Sequence, residues 1–244
     1  MAEGEIGKRS DMIIRPLTTF PEFEKCVELQ REAFGSSDVD LQPVRMYAVQ
    51  SFVGGLVLGA FEGDRLVGFV NCMPGIRDGR PYWHSHMLAV AADRRNSGIG
   101  AKLKLEQRTA ALQRGIRLIQ WTFDPLQAKN AYVNLEKLGV IVRRYEVELY
   151  GPYTTFQTDR VFAEWWLDQP RLRPEADIRR VHIPANVQDL SRQSPGSVRD
   201  LQLRVREQFL KNISEDYFVA GFERTDEWSA YLFIPGASRV HQTN

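Results

Sequence analysis

The segment Tyr82–Gly100 joins an apolar and aromatic run to a glycine-containing turn and then to the start of an amphipathic stretch. That order predicts a buried strand leading into a helix. The first backbone N–H groups of a helix have no intrahelical acceptor and carry partial positive charge, and glycine lets an anion approach them closely. Arg94 and Arg95 add positive charge beside the turn. We therefore expect an anion-binding site here, although such glycines are also ordinary turn chemistry.

Two motifs in the chain resemble the GNAT N-acetyltransferase superfamily. The first is Arg95-Asn96-Ser97-Gly98-Ile99-Gly100, which is similar to the motif [Q/R]-x-x-G-x-[G/A]. The second is Asn134–Val140, which is similar to Y-E-K-L-G-F and follows at about the spacing that the family requires. The resemblance implies an α/β GNAT fold, a mixed and mostly antiparallel sheet with flanking helices.

The resemblance also implies acetyl-CoA (coenzyme A) as cosubstrate, without a metal. Its pyrophosphate is expected on backbone groups of the turn, and its pantetheine arm beside the preceding strand. The expected coenzyme A-binding residues are Leu88, Ala89, Val90, Arg95, Asn96, Ser97, Gly98, Ile99, Gly100, Ala101 and Asn130.

Two histidines precede the turn. The run His84-Ser85-His86-Met87-Leu88-Ala89-Val90 is similar to the H-x-H-x-L-A-V of arylalkylamine N-acetyltransferases, in which paired histidines help to deprotonate the amine. Strand alternation predicts that the side chains of His84, His86, Leu88 and Val90 share one face. An unperturbed imidazole, with a pKa of about 6.5, suits a general base. The alternative is a structural role, and zinc is disfavoured because no further Cys or His ligand lies nearby.

The family pattern breaks at the residue expected to protonate the coenzyme A thiolate. Leu135 stands where many GNAT enzymes carry a tyrosine, and Tyr132, Asn130 and Asn134 are the nearby polar residues. Three functions remain open. They are an N-acetyltransferase acting on the primary amine of a small molecule, a non-catalytic acyl-CoA-binding protein, and an acyltransferase with another acyl donor or a hydroxyl acceptor.

The amino-acid composition limits the classes of partner that we expect. The 244 residues are 43% hydrophobic and 26% charged, with a formal net charge of +1. Such a balance does not indicate a nucleic-acid or membrane partner. Two cysteines and the lack of an apolar leader or long apolar run favour a cytoplasmic protein. Either a monomer or a homodimer fits the sequence.

The pattern of apolar runs and turn residues divides the chain into four segments. We expect a disordered leader at 1–11, a GNAT domain at 12–168, a linker at 169–180 and a C-terminal α/β extension at 181–244. In the extension the order strand, helix and hairpin repeats the opening of the GNAT domain, so either half a GNAT repeat or an unrelated extension is expected. The predicted helices are Pro21–Phe34, Ile99–Arg114, Pro125–Leu138 and Val198–Ile213, with an optional short helix within Gly35–Gly55.

Overall fold

The computed structural model of the chain describes residues 12–35, 38, 40–151, 158–193 and 195–236, with the backbone alone at 191–193 and 195. The leader expected at 1–11 lies outside the described residues. The chain divides into two compact units, residues 1–119 and 120–244. The expected boundaries at 169 and 181 fall inside the second unit. Strand β5 (Leu118–Phe123, numbered in chain order) crosses the division.

The first unit is an antiparallel sheet with three helices. Its strands lie in the order β1-β2-β3-β4, each antiparallel to the next. In chain order the elements are β1 (Ile13–Pro16), α1 (Phe20–Phe34), α2 (Val44–Phe52), β2 (Leu56–Glu62), β3 (Arg65–Arg77), β4 (Arg80–Val90), a 3₁₀ turn (Ala92–Arg94) and α3 (Ile99–Gln113).

Local sequence explains where α1 begins and ends. The carboxylate of Glu22 accepts the backbone N–H of Thr19 at 3.1 Å, which closes the first turn. Gly35 ends the helix with a φ of 62°, which a glycine adopts without strain. Helix α1 packs against α2 and the sheet, with Phe23 stacked on Tyr47 at a ring-centroid distance of 6.0 Å. The predicted helix is confirmed, and the optional short helix is α2.

The second unit is a second antiparallel arrangement, in the strand order β7-β6-β9-β10-β8. Its elements are α4 (Ala128–Tyr132), a π-helical turn (Val133–Leu138), β6 (Ile141–Glu146), β7 (Arg160–Trp166), β8 (Arg179–Pro184), α5 (Val187–Gln193), α6 (Pro195–Ser214), β9 (Tyr217–Arg224) and β10 (Trp228–Pro235). Within the described ranges, every helix is too short or too polar to cross a lipid bilayer.

Two predicted helix starts are wrong. The helix predicted from Pro125 begins only at Ala128, because the Asp124 carboxylate accepts the Leu126 N–H at 2.8 Å and closes a turn before it. Helix α6 begins at Pro195, before the predicted Val198.

The extension joins the preceding strands through pairing and a buried ion pair. Val219 of β9 pairs with Val142 of β6. Arg206 of α6 makes two hydrogen bonds of 2.9 Å to the carboxylate of Asp159, which is 1% exposed. The extension therefore packs against β6 and the residues before β7 within the second unit.

Strand order distinguishes the extension from the opening of the chain. At the start of the chain, β1 pairs with β2, which is the first strand of its hairpin. In the extension, β8 pairs with β10, which is the second strand of its hairpin. Half a GNAT repeat predicts the same attachment in both places. The extension is thus an α/β addition with its own topology.

Candidate functional site

Helix α3 begins without a side-chain cap. Its N-cap residue, Gly98, has a φ of 85°, in the left-handed region, and no side-chain hydrogen bond closes the helix start. The first intrahelical bond runs from the N–H of Lys102 to the carbonyl of Gly98, at 3.1 Å. The N–H groups of Ile99, Gly100 and Ala101 precede it and so have no acceptor within the helix. Together with the positive end of the helix dipole, these donors have the arrangement that an anion site requires.

Polar groups of the chain itself shape the turn before α3. Asn96 has a positive φ of 67°, a conformation that asparagine tolerates better than most residues. The Ser97 hydroxyl donates a hydrogen bond to the Arg94 carbonyl at 2.6 Å. These features fold the backbone sharply at the helix start, and Asn96, Ser97 and Gly98 are exposed there.

The two arginines of this turn have protein partners. The guanidinium of Arg95 donates to the carbonyl of Ala33, near the end of α1, at 2.9 Å. Arg94 forms ion pairs of 2.9 Å with the carboxylates of Glu62 and Asp93. Arg94 is the cation expected beside the turn, but the two carboxylates offset its charge. Arg95 instead ties the turn to α1.

Glycines bring the start of α3 close to the sheet. A Cβ atom on Gly100 would lie 3.3 Å from a Leu88 methyl group and 3.9 Å from one of Val90. A Cβ atom on Gly68 of β3 would lie 2.9 Å from a methyl group of Ile99, which is too close for a real contact. The helix start thus lies directly against β3 and β4. In β4, the three residues expected beside the pantetheine arm pair with β3 as Leu88 with Val70, Ala89 with Phe69 and Val90 with Gly68.

Strand β4 contains a bulge at His86. Asn71 of β3 pairs with Met87, but the next residue, Cys72, pairs with Ser85, so that His86 has no partner in the register. A bulge leaves one residue outside the ladder and changes which face the following side chains point to. Bulges are frequent beside active sites.

The bulge overturns the predicted sharing of one strand face. Four side chains were expected together: His84, His86, Leu88 and Val90. Ser85 contacts α3, since the Lys104 ammonium donates to its hydroxyl at 2.8 Å. Leu88 also contacts α3, at Gly100. Residues three apart in a regular strand point to opposite faces, so the alternation reverses at the bulge. His84, next to Ser85, therefore faces away from the side on which Leu88 lies.

The two histidine rings lie near each other on the bulged segment, with centroids 6.3 Å apart. Burial, together with the charges of His86 and Lys104, lowers the pKa of His84 to about 4. Partial desolvation also lowers the pKa of His86, although this residue is more exposed than His84. The expected unperturbed pKa is thus wrong for both, and at pH 7 the imidazoles are neutral. Each ring has a lone pair that accepts a hydrogen bond or a proton, but the conjugate acid releases that proton readily.

An amide cluster that the sequence analysis missed supports the bulge. The Asn71 side-chain oxygen accepts the Met87 backbone N–H at 2.9 Å, and its NH₂ group donates to the Gln50 side-chain oxygen at 2.8 Å. Gln42 and Gln50 bond to each other through their side chains, at 3.2 and 3.3 Å. The cluster connects α2 and the loop before it to the bulged strand. Isolated amide residues in three separate elements give no sequence signal for such a contact.

Three large aromatic side chains belong to the core and are not available to bind an acceptor. Tyr47 is 0% exposed, Trp83 1% and Trp121 7%, whereas Phe52 at the end of α2 is 90% exposed. Among the described residues, no three His, Cys, Asp or Glu side chains group closely enough to hold a metal ion.

Comparisons with known proteins assign this arrangement to a family. The model of the Acetyltransferase (GNAT) family matches residues 23–139, a range that contains α2, the bulged strand, the turn and α3. The chain contains a GNAT acetyltransferase domain. No curated protein matches it by sequence.

Solved structures share the GNAT fold with about two thirds of the chain. The ribosomal-protein-S18-alanine N-acetyltransferase of Escherichia coli is 14% identical, with a TM-score of 0.55, and the match covers 68% of this chain and 100% of that one. The acetyltransferase yncA of Salmonella typhimurium, solved with acetyl-CoA, is 17% identical, with a TM-score of 0.55 and coverage of 68% and 99%. An aminoglycoside 6'-acetyltransferase type Ii is 22% identical, with a TM-score of 0.53 and coverage of 66% and 99%.

The second GNAT motif lies on α4 and the π-helical turn of the second unit. Leu135, at the position of the family's tyrosine, is fully buried and has no proton to donate. Asn130 is exposed on α4, and Tyr132 is half-buried, with the Lys137 ammonium 5.4 Å from its ring centroid. π-Helical turns inside α-helices are frequent at functional sites. The motif is present here without its acid.

Proposed function

We propose that this chain is an acetyl-CoA-dependent N-acetyltransferase that transfers an acetyl group to the primary amine of a small molecule. One observation carries the proposal. The start of α3 offers the backbone N–H groups of Ile99, Gly100 and Ala101 without a side-chain cap, inside a GNAT domain and next to a bulged strand that bears two histidines.

The turn and the strand have separate roles in this proposal. The N–H groups at the start of α3 bind the pyrophosphate of acetyl-CoA, and the absence of side chains at Gly98 and Gly100 leaves room for it. Asn96, Ser97 and Arg95 shape the turn. The backbone of Leu88, Ala89 and Val90 lies beside the pantetheine arm. The bound cosubstrate supplies an activated acetyl group.

His84 and His86 handle the proton of the amine. Both are neutral at pH 7 because burial lowers their pKa values, so each is able to accept a hydrogen bond from the amine or from an intervening water. A base of low pKa releases its proton easily, which favours passing the proton on to water over storing it. We therefore propose that the pair orients water and relays the proton. The amine must reach the site in its neutral form.

A non-catalytic acyl-CoA-binding protein is the second candidate, and Leu135 is the observation that favours it. Because leucine has no hydroxyl, the second motif lacks the proton donor that the family uses for the departing thiolate. A thiolate is a tolerable leaving group, so the loss of this acid slows transfer but is compatible with it.

We place the enzyme in the cytoplasm, where its buried free cysteines, Cys26 and Cys72, remain reduced.

A thiol-release assay tests the function. Purified protein is supplied with acetyl-CoA and, separately, with arylalkylamines, polyamines, amino acids and peptides, and free coenzyme A is measured. The proposal expects release that depends on one class of small primary amine and that falls about 10²-fold or more in the double variant His84→Gln, His86→Gln. Acetyl-CoA binding without release for any amine supports the non-catalytic candidate instead. Release with hydroxyl acceptors alone contradicts the amine assignment.

A further inference from the structure

A buried polar cluster lies between α3 and the sheet of the first unit. We call it the α3 polar cluster, and its members are Cys72, Ser85, Lys104 and Gln107. Lys104 is 7% exposed, Ser85 4%, Gln107 1% and Cys72 0%. The Lys104 ammonium donates to the Ser85 hydroxyl at 2.8 Å and to the Gln107 side-chain oxygen at 3.3 Å.

Burying a lysine in an apolar core is costly, because its ammonium loses its hydration. Here burial lowers the pKa of Lys104 to about 7, so that the side chain is partly charged at neutral pH. The position of this ammonium, between α3 and β4, indicates what it contributes.

Helix α3 follows β4 from the anion site to the histidines. Gly100, at the helix start, contacts Leu88, and Lys104, one turn later, contacts Ser85. Ser85 lies between the two histidines in sequence and forms the last paired position before the bulge. Lys104 therefore connects α3 to the strand segment that carries the imidazoles. The start of the same helix offers the N–H donors.

Resting on the proposed function, we propose that Lys104 is a positioning residue. Through the Ser85 hydroxyl it fixes the bulged segment against α3, and so holds the His84 and His86 rings at a set distance from the N–H groups that bind the cosubstrate. Lys104 does not touch the reacting atoms. The amide of Asn71, which accepts the Met87 N–H, holds the other side of the same bulge.

Charged and titratable groups lie in or beside the α3 polar cluster on β4, on β3 and just after α3. From β4, His84 experiences the charge of Lys104, which lowers the pKa of its imidazole together with the charge of His86. Cys72 lies on β3, and burial raises the pKa of its thiol to about 12, which keeps it protonated. Arg114, just after α3, also acts on Cys72. Loss of the ammonium therefore removes a positive charge that His84 experiences.

The test compares the histidine titrations of the full-length wild type with those of Lys104→Met, Ser85→Ala and the double variant, by NMR of labelled imidazoles. The control is Lys25→Met, which removes an exposed lysine of the same unit whose ammonium bonds to the Asp64 carbonyl. We expect Lys104→Met to raise the titration midpoint of His84 and to move the imidazole resonances of both rings. Ser85→Ala is expected to move the same resonances, and the double variant to add little to Lys104→Met.

Histidine resonances and midpoints that match the wild type in both single variants would overturn the inference. If Lys104→Met does not fold, the histidine titrations of Ser85→Ala alone test the inference. In the acetyl-transfer assay, Lys104→Met is expected to displace the pH profile of kcat while KM for acetyl-CoA stays within about twofold of the wild type. A uniform fall of kcat at every pH indicates a merely structural role and contradicts the inference. Absence of transfer in the wild type defeats the proposed function alone, because the histidine titrations do not depend on turnover.

Discussion

Replacing Lys104 by methionine changes how the stability of the protein depends on pH. The pKa of this lysine falls from 10.5 to about 7 on folding because its ammonium is buried. Between these values the unfolded chain binds a proton at this side chain that the folded chain does not. Stability therefore rises with pH above 7, and below 7 the folded state bears the full cost of the buried charge. Methionine has a similar length and no charge, so Lys104→Met lacks this dependence.

The size of the effect follows from the displacement of the pKa. Each pKa unit corresponds to about 1.4 kcal/mol, so from pH 7 to about pH 9.5 the wild type gains about 3 kcal/mol relative to the variant. Urea unfolding of both proteins at a series of pH values measures this difference. In Lys25→Met, the difference from the wild type is expected to stay flat, because an exposed lysine is solvated in both states. A flat difference for Lys104→Met would refute the reasoning and mean that water reaches the ammonium in the folded state.

Three further predictions concern the turn, the extension and the histidines. Gly98→Leu is expected to weaken acetyl-CoA binding about tenfold or more in calorimetry. Gly115→Leu, at a glycine of φ 72° just after the same helix, introduces matched backbone strain without that loss. Arg206→Met leaves the Asp159 carboxylate buried without its guanidinium, and urea unfolding should show a loss of about 3–5 kcal/mol, against little change if the pair is dispensable. Because the pKa of His84 is about 4 when folded and 6.5 otherwise, the wild type should lose up to about 3 kcal/mol relative to His84→Gln as the pH falls from 6.5 to 4. Parallel acid-unfolding curves would contradict this.

Local signals made the uncapped start of α3 predictable from sequence. A glycine after a buried strand predicts a turn by its residue type alone, because glycine adopts a φ such as the 85° of Gly98 without strain. The apolar period of α1 and the turn residues of the β2–β3 hairpin are likewise local. The start of α3 and the strands of the first unit therefore appear where the sequence indicates.

Features that depend on distant contacts were not predictable. The bulge at His86 results from pairing with β3, and strict alternation along β4 gave the wrong face for His84. The lowered pKa values of the histidines arise from burial, which periodicity alone does not measure. Lys104 reads as one more polar residue of an amphipathic helix, yet it is buried because α3 lies so close to β4. The pairing of β8 with β10 depends on contacts between distant residues, which the order of strand, helix and hairpin does not specify.

The most direct test of the account is an acetyl-CoA titration followed by the backbone amide resonances of the full-length protein. We expect the largest amide chemical-shift changes at Ile99, Gly100 and Ala101, whose N–H groups have no acceptor in the helix. Acetyl-pantetheine, which lacks the phosphates, should leave these three amides nearly unmoved while shifting Leu88 and its neighbours. Saturable binding that leaves the amides of Ile99, Gly100 and Ala101 unshifted, or no binding at all, would contradict the central claim that the start of α3 holds the pyrophosphate.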